Sequence, residues 1–101
     1  MANPFHYQFT WDPTKARQNL KKHGVSFERA ATVFLDPRAL SEFDADHSER
    51  EERWVSIGLD LTGALLVVCH TYQGITDESA MIRLISARKA TAREGTQYRE
   101  A

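Results

Sequence analysis

The sequence predicts an α+β fold, an antiparallel sheet of three to five strands with two N-terminal helices and one C-terminal helix. Three observations carry this expectation. Apolar residues recur at helical spacing between residues 16 and 34. Runs rich in Val, Ile and Leu, separated by short turn signals, fill residues 53 to 87. Thr91 and Glu94 then stand at capping-box spacing and open a last helix. The 101 residues suit a single domain, 1–101, with one modest core.

Taken in order, "HYQFTW" places Tyr7, Phe9 and Trp11 on one face of a short first strand. Asp12-Pro13 opens a helix, Asp as N-cap and Pro at the first helical position. Ala16, Leu20 and His23 form its stripe, and Gly24 suits the left-handed residue past its end. Lys21, Lys22 and His23 therefore fill the last turn. Ser26 caps a second helix, with Phe27, Ala30, Ala31 and Phe34 on the core side. Asp36-Pro37 ends it.

"ALSEF" fits a short edge strand and "DADHSEREE" a polar loop. "RWVSIGL" puts Arg53, Val55, Ile57 and Leu59 on one strand face. "ALLVVCHTY" is apolar on both faces, as a central strand would be. "QGITDE" reads as a loop and "SAMIRLISA" as the next strand. The last helix carries Tyr98 and is weakened by Gly95.

Composition narrows the function classes. Hydrophobic residues make up 42% and charged residues 27%, ordinary for a soluble globular domain. No apolar run approaches the ~20 residues that span a bilayer, and the N-terminus lacks a secretory pattern. One cysteine, Cys69, excludes an internal disulfide, so a cytoplasmic setting is expected. Cys69 reads as a small core residue. The four histidines and Cys69 lack metal-ligand spacing, so neither metal nor cofactor is expected.

Net charge is −1 but unevenly spread. Five basic residues lie between Lys15 and Arg29 and five between Arg83 and Arg99, each stretch with one acid. Eight acids against three arginines lie between them, from Asp36 to Asp60. A fold that joins the two basic stretches makes a local positive surface; otherwise they are solvated faces.

The blocks "FTWDPTKARQNLKKHGVSFERAATVFLDP", "HSEREERWVSIG", "LLVVCHTY" and "IRLISARKATARE", in this order, resemble the BrnT family. That family is the toxin half of bacterial type II toxin–antitoxin pairs. The resemblance runs from about Phe9 to Tyr98. WDPxKAxxNxxKHGVSFExA and ISARxAxxxE are specific in combination. It implies a RelE-like fold and a metal-independent endoribonuclease that inhibits translation and growth. It also implies a ribbon-helix-helix antitoxin of the BrnA type, through which DNA would be touched only indirectly.

Metal-free RNA cleavage uses the neighbouring 2′-hydroxyl as nucleophile. It needs a base, an acid for the leaving oxygen, and fixed cations around the phosphorane. His23, in the KHG block, is the candidate proton carrier, or a helix-end cation stabilised by the dipole. Lys22 beside it either binds phosphate or is a solvated cation. Arg53, in an otherwise apolar row, either snorkels at the sheet edge or occupies a cleft.

Arg88, in the "SAR" block, is placed to grip phosphate or to pair with the acidic loop. Arg83 is a second clamp or a structural ion-pair partner. Catalytic candidates are thus His23, Arg53 and Arg88, with Lys22 and Arg83 binding substrate. His47 reads as a surface residue and His70 as a hydrogen-bonded core residue. Glu49, Glu51 and Glu52 read as a solvated face from which one could serve as base. The competing reading is a catalytically silent module that holds an antitoxin and assists promoter repression.

Overall fold

The computed structural model describes residues 5–101. β1 (His6–Thr10) leads into α1 (Pro13–His23). The Asp12 carboxylate accepts from the Thr14 and Lys15 amides at 2.8 and 3.4 Å, and Gly24 ends the helix at φ 69°. β1 begins at His6, which pairs with Ser79.

The expected stripe of α1 is corrected at one position. Leu20 is 51% exposed, and Asn19 is buried instead. Its amide donates to the carbonyls of Val25 (2.9 Å) and Ala87 (2.8 Å) and accepts from the Ala87 amide (3.0 Å). Three backbone groups that burial would otherwise orphan are satisfied by one side chain.

α2 (Phe27–Ala31) is shorter than its apolar stripe implies and tightens into a 3-10 turn at Thr32–Leu35. The change of pitch brings Val33 to the centre of the core beside Phe27 and Ala30, while Phe34 packs at its flank. β2 (Leu40–Phe43), a 3-10 turn (Ala45–His47), β3 (Arg53–Leu59), β4 (Leu65–Thr71), β5 (Gln73–Thr76), β6 (Ser79–Lys89) and α3 (Ala92–Glu100) follow. The Thr91–Glu94 capping box is complete.

The sheet has six strands in the order β1-β6-β4-β3-β2, with β5 added to β6. This corrects the expectation of three to five antiparallel strands. β1 lies parallel to β6, and the segment read as the "QGITDE" loop contains β5. Both corrections trace to the 11 residues of β6. Its first half pairs with β1 and β5, and its second half with β4. All four residues of β5 are exposed, so no burial alternation marked them as a strand.

One sheet face is the core. Leu66, Val68, Ile82, Leu84 and Ala87 pack there against Val25, Phe27, Ala30 and Val33. Each large apolar side chain so buried contributes about 1.5–3 kcal/mol. The helices are not gathered on that side, however. α3 brings Glu94 and Gln97 over Val55, Ile57 and Val67 on the opposite face. Tyr98 anchors α3 through its hydroxyl, which donates to Asp36.

Candidate functional site

The residue pairing decides which charged side chains share a face. Arg53 stands opposite Thr71, Val55 opposite Cys69, and Ile57 opposite Val67. Across the next ladder Cys69 faces Ser86 and Val67 faces Arg88. The register shifts between Cys69 and His70, where Ile85 is the extra residue. Beyond that bulge the Arg83 amide donates to the Thr71 hydroxyl at 3.2 Å. Arg53, Arg83 and Arg88 therefore all rise from the face opposite the core.

The three arginines form two groups. Arg53 and Arg83 both reach one oxygen of Glu51, Arg53 at 3.5 Å. The Arg53 Nε–H is buried and meets no acceptor among the described residues. Arg88 lies four residues further along β4's ladder, an offset of about 13 Å in the strand direction at 3.3 Å per residue. It grips Glu94 with two parallel bonds of 2.8 and 2.9 Å. The same carboxylate accepts from the Thr91 amide at 2.9 Å.

The Arg88 hydrogen bonds outweigh Glu94's burial and hold its carboxyl down at about 2; the pairing pushes the Arg88 guanidinium up. Arg88 thus pairs with α3 and not with the acidic loop, whereas Arg53 and Arg83 do meet that loop, at Glu51. Their side chains remain 35%, 46% and 42% exposed for Arg53, Arg83 and Arg88. An incoming anion can therefore reach each of them.

His23 and Lys22 lie elsewhere. They end α1, which packs against β6, and Asn19 one turn earlier meets the strand at Ala87. That packing sets the two basic stretches side by side. Among the described residues no hydrogen bond or ion pair engages the His23 ring, and none joins it to the three arginines. The structure brings Arg53 and Arg83 together, leaves Arg88 along the same face, and sets the His23–Lys22 pair on the helix flanking β6.

Sequence reasoning left Glu51 undistinguished from Glu49 and Glu52. Three nearly adjacent loop carboxylates carry no periodicity, and only the fold selects the one between two guanidinium groups. His70 was expected as a hydrogen-bonded core residue, and it is one; the Ser56–Ser41 chain that it anchors was not foreseen. His70 is 2% exposed. Its Nδ1 lies 2.9 Å from the Thr71 carbonyl and its Nε2 2.7 Å from the Ser56 hydroxyl, which lies 2.7 Å from that of Ser41. Burial pushes the imidazole below its ordinary value, so the ring is neutral near pH 7. A carbonyl only accepts, so Nδ1 carries the proton. Nε2 then accepts from Ser56, and Ser56 from Ser41.

His47 is a surface residue hydrogen-bonded to Asp44 at 2.9 Å. Cys69 is half-buried among the open-face residues. No cluster of potential metal ligands occurs among the described residues.

Comparison with known proteins bears on this geometry. Residues 11–94 match the family model described as "Ribonuclease toxin, BrnT, of type II toxin-antitoxin system". The crystal structure of the Brucella abortus ribonuclease toxin, BrnT, superposes with a TM-score of 0.55 at 23% identity. The alignment covers 82% of this chain and 95% of that one, and at this identity it speaks for the fold alone. No curated protein matched by sequence. With most of its length matched by the family model, the chain belongs to the BrnT family of ribonuclease toxins of type II toxin–antitoxin systems.

Proposed function

We propose that the protein is a metal-independent, RelE-like endoribonuclease of the cytoplasm, held inactive by a BrnA-type ribbon-helix-helix antitoxin. The observation that carries this reading is the placement of Arg53, Arg83 and Arg88, each partly exposed, on the sheet face opposite the core. A phosphodiester presents the same paired oxygens as a carboxylate. It therefore takes the place of Glu51 between Arg53 and Arg83, where the buried Arg53 Nε–H has a donor to spare. Arg88 binds the next stretch of backbone, and Lys22 a flanking phosphate beyond the strand edge.

In the reaction the 2′-oxygen attacks phosphorus as its proton passes to a base. The bond to the 5′-oxygen breaks, and that oxygen takes up a proton. The products are a 2′,3′-cyclic phosphate and a 5′-hydroxyl. Arg53 and Arg83 hold the extra negative charge of the phosphorane, about 3–4 kcal/mol for one preorganised donor. Two groups are candidates for the proton. One is the His23 imidazole from the KHG block, and the other is Glu51, which once displaced is already beside the phosphate.

A second reading has its own support, because each arginine of the face is already held by a carboxylate. A silent module that only binds an antitoxin would show that pattern. Incubating the purified chain with RNA in EDTA separates the two. The nuclease reading expects fragments with cyclic phosphate ends, cleavage lowered about 10²–10³-fold by Arg53→Ala or Arg83→Ala, and weaker RNA binding in Arg88→Ala. No cleavage with or without divalent ions favours the silent module, and cleavage only with a divalent ion rejects the metal-free scheme. Loss of a limb of the pH–rate profile in His23→Gln, but not in Glu51→Gln, assigns the proton to the imidazole.

A further inference from the structure

The core face of the sheet carries a cavity of about 210 Å³ at the end where β3 begins and β4 stops. Four aromatic rings, Tyr7, Phe34, Trp54 and Tyr72, make its walls. Ser41 and His70 supply its polar edge. This volume lies below the ~300 Å³ at which drug-sized ligand sites begin, so it fits one flat ring system. We propose that this cavity is a nucleobase subsite, taking an unstacked base of the RNA whose phosphate lies at Arg53 and Arg83. The inference rests on the ribonuclease reading above.

Its position follows from strand alternation. Arg53 and Thr71 point to the open face, while their neighbours Trp54 and His70 point to the core face. Tyr72 lines both this cavity and the open-face groove that holds Glu51, Thr71 and Arg83. A chain crossing the strand ends at Tyr72 therefore has a phosphate on one side and its base on the other. The aromatic walls supply a stacking surface that every base can use.

Selectivity comes from Ser41. Its hydroxyl proton is directed to Ser56 by the orientation of the His70 ring, so its lone pairs remain for a donor on the base edge. The site thus asks for an N–H of the base at that point.

The test uses 2′-O-methyl RNA oligomers, which cannot be cleaved, and a matched abasic oligomer. The chain has two tryptophans. In Trp11→Phe, Trp54 is the sole fluorescent indole. The base-bearing oligomer is expected to quench it and the abasic oligomer to leave it unchanged. Tyr72 is 44% exposed, so Tyr72→Ala preserves the fold. It is expected to weaken the base-bearing oligomer about ten- to hundredfold and the abasic one little. Ser41→Ala is expected to narrow the differences among A, C, G and U oligomers.

Equal affinity for both oligomers, unaffected by Tyr72→Ala, overturns the base subsite while leaving the phosphate site standing. Failure of both to bind removes the RNA reading and this proposal with it. Unchanged RNA binding by Tyr72→Ala, with weakened assembly with a co-expressed antitoxin, assigns the cavity to a protein side chain and overturns it as well.

Discussion

At the scale of single residues, two polar side chains show how burial and function divide. Asn19 is inward and fully bonded, and its role is structural. Asn19→Ala leaves the Val25 and Ala87 carbonyls and the Ala87 amide without partners. A loss of about 2–4 kcal/mol in denaturant unfolding is the expected outcome. Arg88 is outward and paired through a partly exposed bond, so Arg88→Ala should leave unfolding within about 1 kcal/mol of wild type while RNA binding weakens. The sequence marked Arg88 and passed over Asn19. An arginine at a strand end is rare enough to notice. An asparagine one position from an apolar stripe reads as surface, because the strand edge it seals is 68 residues away. Glu51 was illegible for a related reason: Arg53 is only two residues away, but Arg83, 32 residues on, reaches it only through the strand register.

Among the elements, those with their own punctuation were the readable ones. α1 between Asp12 and Gly24, and α3 behind its capping box, start where side-chain chemistry says they should. β5 has no such signal. It exists because the first half of β6 offers an unpaired edge. β3 carries a glycine whose necessity is visible only in the packing. A Cβ on Gly58 would lie 2.9 Å from Val33 Cγ1, 3.0 Å from Ala39 Cβ and 3.2 Å from Asp36 Oδ2. Gly58→Ala should therefore cost about 1–3 kcal/mol, read as a lowered melting temperature. The bulge at Ile85 belongs here too. Without it, strict alternation would send Arg83 and Arg88 to opposite faces of the sheet. Period-2 reading of β6 cannot foresee that, and it is why the shared arginine face was not legible before the register was known.

Across the whole molecule, ionisable groups on different elements set the response to acid. Burial raises the carboxyls of Asp36 and Asp60, but their hydrogen bonds win and both end below the ordinary value. Asp36 accepts from the Leu59 and Arg38 amides and the Tyr98 hydroxyl. Asp60 accepts from Thr62, Ala64 and Arg29. Glu94 is lowered further, to about 2. The stability these three contribute is present above their unfolded values near 4 and is lost as pH falls through the folded ones. His70, kept neutral by burial, adds an earlier loss as pH falls below about 6.5, where the unfolded imidazole takes up a proton and the folded one does not. A two-stage fall in melting temperature from pH 7 to pH 2 is expected, with the upper stage absent in His70→Asn.

The parallel partnership of β1 with β6 carries one more consequence. A ribosome delivers β1 about seventy residues before the strand it must join, and Arg53 well before Arg83 and Arg88. The nascent chain cannot complete its sheet, or gather its three guanidinium groups, until β6 has left the exit tunnel. On the proposed ribonuclease reading, the site that would act on RNA is therefore assembled only after most of the encoding message has been translated.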